Sequence, residues 1–262
     1  GQAKAVSKNS LEAAAKVAAA ADTAITTLDR YDLNTATGVL NVIEERDITE
    51  VLLGMHRRAT IIDSFYGAKV EQLLRATNKM IIITRCYIPV NTLTRIVVWV
   101  PDDAQYETGF SRWVRGIARL TRQLGCRVIF HAPAAVQPLI RGVLYSENLG
   151  VRCEFATAES QDDFVLLANK ILDDDLLVVV GARANSVSYR AEMVELPGFL
   201  QRYFSRNNLM VIFPEQFGES TPLVSFSDPL SSDVATSASP VLQGILSRIR
   251  ALSRRINGRG SR

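Results

Sequence analysis

The chain has 262 residues, of which 47% are hydrophobic and 22% charged, a globular composition long enough for one large or two ordinary domains. No stretch approaches the roughly 20 apolar residues of a membrane-spanning helix, and nothing near the start reads as a secretory signal. The net charge of +3 is unevenly held: residues 240–262 carry six arginines and no acid, while residues 1–239 carry 24 basic and 27 acidic groups, which excludes a broad nucleic-acid surface on the body.

In chain order, Leu11–Ala21 reads as an alanine-rich helix, Ala24–Leu28 as a strand and Ala36–Glu45 as a helix with Thr35 at its cap. Glu50–Leu53 is a strand closed by Gly54, Gly67–Ala76 a helix and Met80–Thr84 a strand. Then come Arg95–Val100 (strand), Gly109–Leu124 (helix, with Phe110, Val114, Ile117, Leu120 and Leu124 on one stripe), Arg127–Phe130 (strand) and Ala135–Tyr145 (helix, Pro138 in its first turn). Val151–Ala156 (strand), Asp162–Leu172 (helix), Leu176–Val180 (strand), a helix around Gly198–Phe204 and the strand Leu209–Phe213 complete the order.

Continuous apolar strands separated by helices predict an α/β fold whose doubly wound, parallel, five-stranded sheet is covered on both faces. The front half, α-β-α-β-α-β, repeats the later part of the back half, so the expectation is a duplication whose first copy lacks its N-terminal β-α-β. The divisions are residues 2–84 for the partial copy, 85–94 for a linker, 95–217 for the second copy, 218–239 for a flexible tether and 240–262 for a basic amphipathic helix. That last helix, with Leu242, Ile245, Ile249, Leu252 and Ile256 at helical spacing, suits anionic lipid, self-pairing or docking on the body.

With only two histidines (His56, His131) and three scattered cysteines (Cys86, Cys126, Cys153), a histidine metal centre, a Ser-His-Asp triad and a disulfide framework are disfavoured. No nucleophile elbow, zinc-protease or Walker motif occurs. The expectation is a protein that is not an enzyme. Asp173-Asp174-Asp175 reads as a solvated turn rather than a cation site. Trp99 and Trp113 read as core. Tyr31, Asp32, Asn34 and His131 stand at strand ends where open α/β sheets bind ligands.

The stretch Gly54-Met55-His56-Arg57-Arg58, with nine residues between Arg57 and Gly67-Ala68, resembles the phosphate loop of the universal stress protein family, G-x2-G-x9-G-[S/T]. Glycines let backbone N–H groups approach phosphate, and a helix start adds its positive end. The resemblance implies ATP or another adenine nucleotide as ligand, held by Gly54, His56, Arg57, Arg58, Gly67 and Ala68. Two departures stand against it: Arg57 replaces the second glycine and Ala68 the hydroxyl residue. The second copy, Gly181-Ala182-Arg183-Ala184, departs further, and Pro101 stands where the family has its base-binding aspartate.

A wider resemblance, over about residues 13–215, is to the cytoplasmic C-terminal region of bacterial cation/proton antiporters, which carries tandem domains of this type. It rests on Thr27-Leu28-Asp29-Arg30-Tyr31-Asp32-Leu33-Asn34, on Gly54 through Gly67, and on Arg95-Ile96-Val97-Val98 with Tyr106-Glu107-Thr108-Gly109-Phe110. It implies a regulatory or structural module on the cytoplasmic side of the inner membrane, partnered by the transport part of the same protein and forming a homodimer. No nucleic-acid partner is expected. The strands Met80–Thr84 and Leu209–Phe213 are the expected pairing edges, between two chains or between the two copies within one chain. The alternative is a stand-alone ATP-binding stress protein.

Overall fold

The computed structural model describes residues 2–32, 34–54, 60–146, 148, 150–158 and 160–217. Their strands form one seven-stranded sheet, where the sequence predicts five-stranded units. In chain order the strands are β1 (Glu50–Gly54), β2 (Met80–Arg85), β3 (Arg95–Trp99), β4 (Arg127–Ala132), β5 (Cys153–Thr157), β6 (Asp175–Val180) and β7 (Asn208–Phe213). Their order across the sheet is β1-β2-β7-β6-β3-β4-β5. Every neighbouring pair is parallel except one: β2 runs antiparallel to β7, with Ile81 opposite Phe213 and Ile83 opposite Val211. The two strands predicted to seek partners therefore find each other inside one chain.

The helices are α1 (Gln2–Ala20), α2 (Thr35–Glu45), α3 (Ile61–Phe65), α4 (Ala68–Ala76), α5 (Phe110–Leu124), α6 (Gln137–Ser146), α7 (Gln161–Leu167) and α8 (Leu196–Tyr203). All but α1, which contributes no described residue to either core, cover the sheet from both sides. On one side Trp113, Val114 and Ile117 of α5 and Ile140 and Leu144 of α6 pack over Ile96, Val98, Val128, Phe130 and Val178. On the other, Leu40 of α2, Leu73 of α4, Phe164 of α7 and Leu200 of α8 pack over Ile81, Ile83, Val97, Leu177 and Val211. Alternate residues of the central strands β2, β7, β6 and β3 serve the two cores, as the period of a pleated strand requires. β6 is buried along its whole length; each such aliphatic side chain is worth about 1.5–3 kcal/mol in transfer from water.

Local chemistry sets the ends. Asn34, not Thr35, caps α2, its side chain accepting from the Thr37 N–H at 2.9 Å. A Ser160–Asp163 capping box starts α7. Gly125 ends α5 in the left-handed region at φ 65°.

Two expectations fail. Ala24–Leu28 is not a strand, and Ile25 and Leu28 stay 46% and 40% exposed; an isolated run of strand-formers has no ladder to join. The loop before Gly67 also holds an extra short helix, α3, packed on α8, with the Ile61 N–H donating to Gln201 Oε1 at 2.8 Å. The predicted tether and basic helix, 218–262, lie outside the described residues.

Candidate functional site

In an open parallel sheet, ligands bind beyond the carboxyl ends of the strands where the chain reverses its direction of winding. Here the chain steps from β3 to β4 and β5, then crosses to β6 on the other side of β3. A cavity of about 390 Å³ opens at that point, lined by Trp99, Pro101, Asp102, Ser160, Phe164 and Arg190, among others. Its floor is aromatic, with Trp99 and Phe164 at 4.8 Å. The resemblance reserves the place of Pro101 for an aspartate. The next acid but one, Asp103, sits in the left-handed region at φ 57° and is paired with Arg190. Arg190 is also held by the carbonyls of Val187 and Tyr189, each at 3.0 Å.

The loop after β6, which the resemblance puts in the place of a second phosphate loop, has polar groups turned onto the protein. Arg183 Nη1 donates to the carbonyls of Leu74, at 2.8 Å, and Thr77; Nη2 donates to Lys79 O at 2.5 Å and Nε to Pro214 O at 3.3 Å. Leu74 and Thr77 close α4, so the guanidinium caps the negative end of that helix and fixes it to the back half of the sheet. Burial pushes the Arg183 pKa down to about 10, against the field of Glu107; the group is still a cation at neutral pH.

Glu107, 5% exposed, accepts the Ser188 N–H at 3.0 Å, the Ser188 hydroxyl at 2.6 Å and Gln216 Nε2 at 2.6 Å. Burial opposes its charge, but those hydrogen bonds outweigh burial and hold its pKa below the ordinary carboxylate value. Gln216 in turn donates its backbone N–H to Asn78 O at 2.9 Å. Beside this network lies a cavity of about 700 Å³, lined by Tyr66, Leu74, Arg183, Ser186, Phe213 and Gln216, among others. Burial raises the Tyr66 pKa, so the phenol stays protonated.

The two loop glycines differ in kind. A Cβ on Gly181 would stand 2.9 Å from the Phe213 ring, whereas one on Gly54 would meet nothing within 4 Å. Gly181 is thus required by packing. Gly181→Ala is expected to cost about 1–3 kcal/mol in urea unfolding, with Gly54→Ala near neutral as comparator; equal effects would remove that distinction.

Of the predicted phosphate-binding residues, Gly54 ends β1 at the surface, Gly67 is the N-cap of α4 without a side-chain bond and Ala68 is its exposed first residue. His56, Arg57 and Arg58 lie outside the described residues. Tyr31 is 73% exposed. Asp32 holds Asn41 Nδ2 at 3.0 Å and Arg30 Nε at 3.2 Å. His131 is half-buried on β4, its pKa lowered by burial and by Lys170 and Arg95. The aspartate run is structural: Asp175, fully buried, takes Arg95 Nε at 2.8 Å and the Leu172 N–H at 2.7 Å, while Asp174 takes the Thr94 hydroxyl. No metal-ligand cluster occurs among the described residues, nor does any helix long and apolar enough to cross a membrane. Sequence reasoning missed Arg190, met Glu107 only inside a segment of the wider resemblance and saw in Arg183 only an interrupted motif.

No protein-family model and no curated protein matches the chain. Among solved structures it is similar to a universal stress protein from Archaeoglobus fulgidus, at 13% identity over 81% of this chain and 77% of that one, with a TM-score of 0.53. It also aligns with a functionally unknown protein from Pseudomonas aeruginosa, at 11% identity over 79% and 78% of the two chains and a TM-score of 0.49. A universal stress protein, described as putative, from the same organism aligns at 12% identity over 79% and 78%, with a TM-score of 0.46. An α/β architecture built on one mostly parallel seven-stranded sheet, together with the first of these likenesses, gives the chain the Rossmann-like fold of the universal stress proteins.

Proposed function

We propose that the chain is a cytosolic regulatory or structural module of a bacterial cation/proton antiporter, built by duplication, in which the second nucleotide loop has become a joint. The observation that carries this reading is Arg183. In the position of a phosphate loop it grips four carbonyls, three of them in residues 74–79 of the front half, and so holds protein where the resemblance puts a ligand. The antiporter assignment draws on the sequence segments around residues 27–34, 54–67 and 95–110. The module would act by differential binding: a ligand or partner preferring one arrangement of module and transporter shifts the transporter's equilibrium.

The proposed partners are the transport part of the same protein and a second copy of the chain. β1 is the end strand of the sheet and has no strand on its outer side among the described residues, an edge able to accept one.

The alternative, a stand-alone ATP-binding stress protein, draws on the spacing of Gly54, Gly67 and Ala68 and on the open cavity at the strand ends. Two experiments separate them. The coding sequence upstream of Gln2 is read for several apolar segments of membrane-spanning length; their presence supports the antiporter module and their absence overturns it. ATP and a cyclic dinucleotide are titrated calorimetrically into the chain and into Arg57→Gly. Flat titrations with both support a joint; binding in the tens of micromolar that Arg57→Gly alters places a ligand site at Gly54–Gly67.

A further inference from the structure

The helices on the two sides of the sheet differ in charge. α5 and α6, which share one side, carry five arginines (Arg112, Arg115, Arg119, Arg122, Arg141) and no acid. On the other side, α2, α4, α7 and α8 carry five carboxylates and three basic groups. The whole stretch from Phe110 to Ser146 holds six arginines, no lysine and no acidic residue, inside a body that is net acidic. An ordinary surface mixes signs, and a single-sign face over two adjacent helices marks what it meets.

The four arginines of α5 recur at intervals of three, four and three, which places them within an arc of about 80°. That arc points away from the core, since the buried residues of α5 are Phe110, Trp113, Val114, Ile117, Ala118 and Thr121. Arg112 is engaged by Glu50, at 3.6 Å, and Glu215, at 3.1 Å. Arg119 and Arg122 are exposed and have no ion-pair partner among the described residues. On α6, Arg141 lies over the Phe155 ring at 3.8 Å. On the same helix Tyr145 is 89% exposed and Leu139, on the other flank, 47% exposed.

We propose that the α5–α6 face is a docking surface for an anionic lipid bilayer. Charge complementarity carries the choice. The exposed guanidiniums of Arg119, Arg122 and Arg141 face a sheet of phosphates, and arginine makes paired hydrogen bonds to phosphate oxygens. Tyr145 and Leu139 supply the second element of interfacial binding, an amphipathic ring and an apolar tip at headgroup depth. A single-stranded nucleic acid calls for a series of aromatic platforms along a basic groove, and this face has one exposed aromatic on two helices packed side by side. The proposal does not rest on the antiporter reading, which the upstream coding sequence tests separately.

The test uses the full chain with the six arginines of residues 240–262 changed to glutamine, so that the tail does not supply the signal. Sedimentation with vesicles of 30% phosphatidylglycerol in phosphatidylcholine is compared with sedimentation on phosphatidylcholine alone. The expected result is binding to the anionic vesicles only, weakened by salt. Each basic residue at such a surface contributes about fivefold, so adding Arg119→Gln and Arg122→Gln should weaken binding about twenty-fivefold. Circular dichroism and the urea midpoint confirm that the variant is folded. Tyr145→Ser tests the apolar element by a separate loss. Equal binding with and without the Arg119 and Arg122 changes, no anionic binding at all, or tighter binding to a single-stranded oligonucleotide at the same salt overturns the proposal.

Discussion

Arg183→Met should lower the unfolding free energy by about 3–4 kcal/mol, a large part of the roughly 5–15 kcal/mol that holds a domain together. The substitution keeps a flexible apolar stem of similar reach and removes the donors to Leu74, Thr77, Lys79 and Pro214. A hydrogen bond to a charged group contributes about 1.5–3 kcal/mol, and four on one guanidinium do not add. Part of the loss is the C-terminal end of α4, left without its cation. Arg183→Lys should recover less than half, because an ammonium cannot reach four carbonyls spread around a planar fork. Urea unfolding at pH 7 reads both values. Amide exchange gives the location: Ile81 and Ile83 of β2 should lose protection more than Val128 and Phe130 of β4. A cost under 1 kcal/mol, or uniform loss of protection, would mean that Arg183 does not join the two parts of the sheet.

Much of this architecture is legible in the sequence because the strands of the back half are short β-branched runs closed by Pro101, Gly181 and similar breakers, while α5 shows its buried stripe at helical spacing. The antiparallel seam is legible for a different reason. Met80–Ile83 and Leu209–Phe213 are apolar on both faces, so neither suits a bare edge, and they pair as Ile82 with Ile212 and Ile83 with Val211. Ala24–Leu28 misleads because a run of residues gives only local preference, and a strand exists through its neighbour. Asn208 shows the opposite failure. A polar residue heading an apolar run reads as a surface end, yet it is 1% exposed. It accepts the Tyr87 N–H at 2.8 Å and donates to the carbonyls of Asp173, at 2.8 Å, and Asp175, at 3.0 Å. Those partners lie more than 30 residues away in sequence, where no local pattern reaches.

The candidate site is less legible still, since the same residue types serve ligands and chain equally well. Glycine and arginine after a strand point to phosphate when the backbone N–H groups are free to approach it. At Gly181 the glycine answers to the Phe213 ring, and at Arg183 the guanidinium answers to carbonyls of the front half. Spacing alone carries neither fact. The switch-point crevice follows from topology, but the Arg190–Asp103 pair beside it depends on a contact across 87 residues.

Glu107 is expected to contribute to stability against acid, with a sign that follows from its hydrogen bonds. Its folded pKa lies below the ordinary value because the donors from Ser188 and Gln216 outweigh the cost of burial. The unfolded chain therefore binds the proton more readily. The stabilisation is fully present above the unfolded pKa of about 4.3 and is lost as pH falls through the lower folded value. Glu107→Gln keeps the shape and removes the charge. One end of the new amide must then face donors: the Ser188 N–H is fixed, though the Ser188 hydroxyl and Gln216 can turn. The expected cost at pH 7 is about 2–3 kcal/mol. Between pH 5 and pH 2 the gap between parent and variant should narrow, because the parent loses what the variant never had. Urea unfolding of both proteins across that range measures the gap directly, and the common acid response of all other carboxylates cancels in the difference. A gap that stays constant with pH would show that the lost donors, and not the buried charge, set the cost. A gap under 0.5 kcal/mol at pH 7 would detach Glu107 from the seam altogether and leave Arg183 as its main polar tie.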